Sequence, residues 1–366
     1  MQLFAKKHIL LIGPSLGRGG AERVMADMSK FLSSTGYKVT LITAYDDVDY
    51  NFGGNHISLG LVKGSPFLPF QTILAFFRWS ILIKRLSPHT IIDSRARRSP
   101  IRELLIHLFV YRVKAKKLFV CHRSDLEIYF PRPRILFRPI YKKLTKVISV
   151  SNDIENKLNL LGLNNTQTIY NGFDFNISDR VKNSNHSFKD KYVLCVGRMD
   201  DYVKQFDHAL ECYENSILHK NNIHLIFLGQ GKIKQSLETY ARTLNNSKKI
   251  HFMGFVANPY VYFKKAEFLI MTSELEGFPM VLIESLACGT PVVSYDCPTG
   301  PREIIQHEKN GLLVKANDKG KMIDSLNRMI EDSEFYNKLC ANATASVKHL
   351  SMDNIATQWE SLIEEV

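Results

Sequence analysis

Two glutamates frame the stretch of this chain whose residue types point most directly to chemistry. Residues 273–301 read SELEGFPMVLIESLACGTPVVSYDCPTGP, with seven residues between Glu276 and Glu284. A Gly277-Phe278-Pro279 turn follows the first glutamate, and Met280 begins an apolar run. Pro279 is expected to open a helix, because the first helical turn leaves its N–H groups unpaired anyway. Glu284 then lies two turns into that helix and Glu276 just ahead of it. The bare N–H groups at the helix start and the positive end of its dipole favour an anion. Two carboxylates around such a start can line one pocket, and the chemistry suits a nucleotide sugar. A plain helix with two exposed glutamates accounts for neither the Gly-Phe-Pro entry nor the apolar run.

Four further groups could act with this stretch. VGRMDDYVKQF (residues 196–206) places Arg198 and Lys204 in a loop after an apolar run. Two cations there, one able to grip two oxygens at once, suit a diphosphate; two solvated surface charges are the plain alternative. LGQGK (228–232) ends a strand pattern in glycines, so that the backbone at Gly229 could approach a ligand or merely turn. PSLGRGGAERV (14–24) sets Gly17, Gly19 and Gly20 between strand and helix patterns. The spacing is neither a P-loop nor GxGxxG. CHRSD (121–125) puts His122 just past a strand pattern, the side of an open α/β sheet where ligands bind. Asp47-Val48-Asp49 reads as a solvated loop. No Ser-His-Asp order, His-x-x-x-His or cysteine–metal spacing is present.

These groups need a scaffold of alternating strands and helices. Short apolar runs supply it: 7–13, 37–43, 89–93, 117–121 and 146–150 in the first half, then 191–197, 222–229, 249–254, 267–273 and 290–296. Residues 310–314 add a short edge strand. Amphipathic helices are expected over 21–33 and 351–365. Such alternation implies parallel sheets with helices on both faces. At 366 residues, two domains are expected. The polar, aperiodic segment 172–190 reads as the linker between them. Six scattered cysteines indicate reduced, buried thiols. The N-terminus shows no signal-peptide pattern, which points to the cytoplasm.

Charge divides the chain unevenly. Residues 1–150 hold 25 Lys/Arg against 9 Asp/Glu, and the remainder 23 against 27. Residues 95–146 alone carry 15 Lys/Arg against 3 acids, interleaved with aromatic and aliphatic residues. That composition suits an anionic bilayer surface or nucleic acid, but no nucleic-acid module accompanies it. The aromatic-rich segment 66–86 is too short and too charged to span a membrane. It reads equally as an interfacial helix with snorkelling cations or as a core helix of the sheet.

With GGAERV, the Arg198/Lys204 pair, EGFPMVLIESLACGTPVV and GPREII in this order, the chain resembles glycosyltransferase family 4, the glycosyl transferases group 1 type of retaining GT-B enzyme. The resemblance spans nearly the whole chain and is most specific at the glutamate block. It implies two Rossmann-like doubly wound domains facing a cleft. These are an acceptor-side domain over 1–171, completed by a C-terminal helix (351–366) that crosses back to it, and a nucleotide-sugar domain over 191–350. It also implies roles. Arg198 and Lys204 bind the donor diphosphate, Glu284 the ribose, and Glu276 the transferred sugar. The backbone of Gly277, Phe278, Pro279 and Met280 faces sugar and phosphates. Gly19 and Gly20 line the donor phosphate and acceptor, and His122 contacts the donor sugar. Arg198 and Lys204 stand one residue further apart than in commoner members.

The expected activity is a metal-independent, retaining transfer of a hexose or N-acetylhexosamine from a UDP-sugar, galactose-type donors favoured. The acceptor would be a lipid-anchored glycan of lipopolysaccharide or polysaccharide biosynthesis. No cofactor and no nucleic acid are expected. The partners are the UDP-sugar, the lipid-linked acceptor and the anionic inner-membrane surface, whose cytoplasmic face the protein would occupy. Two alternatives stand beside it. One is a basic membrane- or nucleic-acid-binding protein with a degenerate sugar-nucleotide fold. The other is a sugar-nucleotide epimerase, for which no added acid/base set is found.

Overall fold

A computed structural model describes residues 7–17, 19–62, 68–130, 140–177, 181 and 188–365, with the backbone alone at 68–72. Its chain divides into two compact units, Met1–Gly172 with Met352–Val366, and Phe173–Ser351.

In unit 1 the order is β1 (His8–Gly13), α1 (Gly20–Ser34), β2 (Lys38–Thr43), β3 (Asn55–Ser58), α2 (Leu68–Leu86), β4 (Thr90–Asp93), α3 (Pro100–Leu105), β5 (Lys116–Cys121), β6 (Lys146–Ser149), α4 (Asn152–Leu160) and β7 (Thr166–Thr168). A π-helical turn, Ile106–Val110, continues α3 directly. Unit 2 follows with β8 (Tyr192–Val196), α5 (Phe206–Glu214), β9 (His224–Leu228), α6 (Lys234–Thr243), β10 (Ile250–Gly254), α7 (Tyr260–Lys265), β11 (Leu269–Met271), α8 (Met280–Ala287), β12 (Val292–Asp296), α9 (Pro301–Ile304), β13 (Gly311–Lys315), α10 (Lys319–Glu331) and α11 (Ser333–Val347). The last helix, α12 (Met352–Glu364), returns to unit 1.

Both sheets are parallel and share one topology. The strand orders are β3-β2-β1-β4-β5-β6-β7 and β10-β9-β8-β11-β12-β13. Each order reverses beside its first strand, at β1/β4 and at β8/β11. Open sheets of this kind bind ligands beyond the carboxyl ends of the strands at that reversal. The central strands are unbroken aliphatic runs because both of their faces are covered. All six residues of β1 are buried, as are all of β4. The edge strands β3 (NHIS) and β7 (TQT) are polar and half-exposed, so no apolar run announces them.

Three expectations gain definition here. Helix α2 packs one stripe into the unit and leaves another exposed. Ala75, Trp79 and Ile83 face inward, while Ile73, Leu74, Phe77 and Ile81 are exposed. Of the expected linker, Gly172 closes unit 1, and Phe173 and Ile177 are buried in unit 2. Phe188 packs edge-on to Tyr192 and His251, and residues 178–180 and 182–187 lie outside the described residues. Phe173 also pairs with Ser351, so the two crossings between units leave unit 2 side by side. The basic stretch 95–146 is not uniformly a surface. Arg95 and Arg97 turn inward to buried Asp93 and Glu103.

Helix α12 buries Ile355, Ala356, Trp359, Leu362 and Ile363 on one stripe. Cations meet its carboxyl end, where the helix dipole is negative. Lys7 pairs with Glu364 at 2.6 Å, and Lys116 donates to the Ile363 carbonyl at 2.5 Å. Trp359→Ala should therefore cost about 3–5 kcal/mol, the usual cost of emptying a large buried aromatic site. Calorimetry should show the unit 1 transition falling while that of unit 2 stays in place; equal shifts of both would contradict this assignment of α12.

Candidate active site

The unit 2 site begins at the end of β8. Gly197 and Arg198 leave the strand, and the backbone then crosses over the β9 exit. Gly197 N–H donates to Leu228 O, and Met199 N–H to Gln230 O. The approach is so close that only glycine fits beneath it. A Cβ on Gly229 (φ +145°) would sit 1.9 Å from the Gly197 carbonyl oxygen, and one on Gly231 (φ +158°) 2.1 Å from the Met199 carbonyl carbon. The glycines of LGQGK thus serve the stacking of two loops.

Past Arg198 the chain makes a 3₁₀ turn, Tyr202–Lys204, capped by the Asp201 carboxylate on Val203 N–H. Lys204 is the last residue of this turn. Gln205 follows in the left-handed region, φ +44°, and starts α5. The turn is stitched to the exit of β11. Glu274 N–H donates to Val203 O at 2.8 Å, and the Thr272 hydroxyl meets the carbonyls of Lys204 and Gln205 at 3.0 and 2.8 Å. The stitching brings Lys204 Nζ within 2.5 Å of Glu276 Oε1. Arg198 is half-exposed beside Asp200, 3.9 Å away.

The turn after Glu276 is held from the other side. The Thr299 hydroxyl donates to the Glu276 carbonyl. Gly300 (φ +92°) lies against Pro279 and Gly277, where a Cβ would come within 2.6 Å of Pro279 Cδ. Pro279 is not inside the first helical turn. It occupies the cap position in extended conformation, and α8 starts at Met280 with no side-chain cap. The leading N–H groups of α8 are accordingly not taken by a capping side chain. Glu284 is the fifth residue of α8, just over one turn in, and is buried with 4% exposure. Arg198, Lys204, Glu276, the 277–280 turn and Glu284 thus gather around the carboxyl ends of β8 and β11, at the topological reversal.

Unit 1 places its residues at the equivalent end of its sheet. Gly19 is the N-cap of α1 and Gly20 its first residue; a Cβ on Gly19 would run into the Glu22 carboxylate, whereas one on Gly20 meets nothing within 4 Å. His122 follows β5, and its N–H donates to the Tyr129 hydroxyl. Its ring borders an apolar cavity lined by Met25, Ile92, Val120, Tyr170 and Trp359. Both ring nitrogens are buried and lack a hydrogen-bond partner among the described residues. Burial above all, then the charges of Arg97 and Arg123, push the imidazole down to about 4.

Sequence reasoning passed over the network beside it. Arg95 grips Asp93 with two bonds of 3.0 and 2.8 Å, and Tyr111 donates to the same carboxylate at 2.7 Å. Arg97, with no exposed surface, lies 3.8 Å over the Phe119 ring and ion-pairs with Asp93 and Glu103. Burial alone would raise the Asp93 carboxyl; the two guanidiniums outweigh it and hold it down at about 2. The signal was present as one Asp in an apolar strand followed by Arg-x-Arg, but a basic run conceals inward-facing arginines. Thr272, Thr299, Gly231 and Gly300 were missed because each acts through backbone contacts.

Two outcomes follow from this geometry. Gly229→Ala should destabilise unit 2 by about 3 kcal/mol or more, since it adds a backbone clash to a strained φ. Denaturant titration reads this, and a wild-type midpoint would refute the close approach. His122 should titrate near 4 rather than 6.5 in long-range ¹H–¹⁵N spectra. The unfolded chain then takes up the proton first, so unit 1 should lose stability as pH falls from about 6.5 to 4.

Comparison with known proteins places the chain in a family. Residues 18–176 match Glycosyltransferase Family 4 and residues 177–346 match Glycosyl transferases group 1. The N-acetylgalactosamine-N,N'-diacetylbacillosaminyl-diphospho-undecaprenol 4-alpha-N-acetylgalactosaminyltransferase of Campylobacter jejuni is 30% identical over 87% of this chain and 89% of its own. The amylovoran biosynthesis glycosyltransferase AmsD of Erwinia amylovora is 27% identical over 98% and 99%. Among solved structures, Anabaena HepE in complex with UDP-glucose superposes with a TM-score of 0.79 at 18% identity, covering 98% of this chain and 100% of that one. The chain belongs to glycosyltransferase family 4, the glycosyl transferases group 1 type, and is a glycosyltransferase of the GT-B fold.

Proposed function

We propose that this glycosyltransferase moves a hexose or N-acetylhexosamine, with galactose-type donors favoured, from a UDP-sugar to a lipid-linked glycan, with retention at the anomeric carbon. The observation that carries the donor side is the Lys204–Glu276 contact beside the uncapped start of α8. Support for the acceptor and the galacto configuration comes from the name of the Campylobacter relative, an undecaprenol-linked N-acetylgalactosaminyltransferase. Support for UDP comes from the ligand of the HepE complex.

Breaking the bond from sugar C1 to the diphosphate puts positive charge on the ring and negative charge on the leaving oxygens. Arg198, Lys204 and the first N–H groups of α8 stabilise the latter from fixed positions, so the reading needs no metal ion. When the diphosphate arrives it competes with Glu276 for Lys204, and the freed carboxylate turns to the sugar hydroxyls. Glu284 takes the ribose. Gly19 and Gly20 leave room at the start of α1, and Gly229 backs the Arg198 loop. His122, neutral, offers the sugar a hydrogen bond. For retention, the acceptor hydroxyl attacks the face that the diphosphate leaves, and the departing phosphate oxygen takes its proton. The reaction belongs at the cytoplasmic face of the membrane that carries the acceptor; no described helix is long and apolar enough to cross it.

A UDP-release screen over UDP-sugars with polyprenyl-diphosphate glycans as acceptors tests the reading. Release from a UDP-galactose-type donor, with an α-linked product by NMR, is expected. Silence from every UDP-sugar across those acceptors would overturn it. Lys204→Ala and Arg198→Ala should each lower kcat about 10²–10³-fold, as removal of a preorganised donor does. Glu276→Gln should lower kcat as well, while leaving UDP affinity within a few-fold of wild type by calorimetry.

A further inference from the structure

We propose that the outer face of α2 and the α3–π segment is a membrane-docking surface, which inserts into the headgroup–acyl boundary of an anionic leaflet. The proposal deepens the lipid-linked-acceptor reading by naming the part of unit 1 that meets the lipid.

The α3–π segment presents apolar side chains to water as well as to the interior. Ile101, Leu104, Leu105, Leu108 and Phe109 recur at helical spacing and are 40–74% exposed. On the opposite side Glu103 is buried with Ile106 and Val110. A surface helix normally carries polar residues on its outer face. Helix α2 continues the apolar face with Ile73, Leu74, Phe77 and Ile81, each about half exposed. The two faces are joined. Phe76 packs edge-on to Phe77 and to Phe109, with ring centroids 5.8 and 6.2 Å apart, and the Ser80 hydroxyl donates to Phe109 O. One apolar patch, with exposed rings at Phe77 and Phe109, therefore spans both elements, and patches of this kind mark interaction surfaces.

Charge selects the occupant. Between residues 68 and 114 the only acids are Asp93 and Glu103, and both are buried against arginines. The exposed charges within this stretch are all cationic: Arg78, Lys84, Arg85, Arg98, Arg102, Arg112 and Lys114. An apolar face on elements whose exposed charges are all cationic matches acyl chains beneath anionic headgroups, with long side chains reaching outward to the phosphates. A second copy of this chain would set two groups of cations against each other. Nucleic acid would leave the aliphatic side chains without a partner, since bases stack on aromatic faces.

Flotation of the full-length chain with phosphatidylcholine vesicles, with and without phosphatidylglycerol, tests the proposal. Binding should need phosphatidylglycerol and weaken at high salt. Phe77→Ser with Phe109→Ser should lower vesicle affinity about tenfold or more, as loss of two inserted rings requires. Arg78→Glu with Arg85→Glu should lower it as well. UDP release onto a short-chain, water-soluble acceptor should stay unchanged in both variants, which shows that they fold. No binding to anionic vesicles would overturn the proposal. So would a dimer in sedimentation velocity that Phe77→Ser dissociates, or a wild-type vesicle affinity in both variants. Vesicle binding without UDP release would refute the proposed function and leave the docking surface standing; UDP release without vesicle binding would do the converse.

Discussion

An ammonium held 2.5 Å from a carboxylate constrains everything around it in unit 2. Lys204 and Glu276 sit on different loops, after β8 and after β11, and neither loop alone fixes its side chain. Their meeting requires the Thr272 and Glu274 contacts to the 203–205 backbone, and the Thr299 contact to Glu276. Those contacts in turn require three backbones to pass closer than any side chain permits, at Gly229, Gly231 and Gly300. A Cβ at any of the three would displace a carbonyl or a proline that helps to place a charged group. The glycines act one layer behind the chemistry. They make the site rigid, which is the property that fixed dipoles and cations need in order to stabilise developing charge without reorganising.

Unit 1 is governed by a different balance. Its acids in the 68–114 region are consumed internally, because Arg95 and Arg97 are buried and an unpaired buried charge is far costlier than a paired one. Asp93, with Arg95, Arg97 and Tyr111 converging on it, closes the end of β4 and supports the loop before α3. The consequence appears on the outside. With both carboxylates turned inward, the exposed charge of α2 and α3 is left wholly positive. One packing decision thus sets both the interior network and the sign of the surface field.

Much of this was legible in the chain itself. The core strands announce themselves as aliphatic runs because a parallel sheet covered on both faces admits little else. The Glu276–Glu284 block is legible because a Gly-Phe-Pro turn marks a helix entry and the apolar run behind it marks a buried helix. Two carboxylates at such a place must face a polar ligand or be paired. Strands β3 and β7 were invisible because edge strands need no apolar run. Pro279 was placed one position too deep: a proline just before α8 and one just inside it look the same in sequence. The inward turn of Arg95 and Arg97 was hidden for a different reason. Spacing shows which residues share a helix or strand face, but a loop has no period, and only the fold reveals that Asp93 and Glu103 meet there. The apolar outer stripe of the α3–π segment was illegible on the same ground. Its periodicity could be read as a face, but not as the face that water sees.

The two units share the order of their first six strands yet carry different groups at the carboxyl ends of those strands. Unit 2 offers cations and helix N–H groups beyond β8 and β11, an arrangement suited to taking up negative charge. Unit 1 offers, beyond β5, an imidazole beside an apolar cavity, kept uncharged at neutral pH by burial and by neighbouring arginines. The difference has a chemical logic. An imidazolium there would set an unpaired buried charge beside Arg97 and Arg123 in a medium with little screening. A neutral ring can still donate or accept a hydrogen bond without doing so.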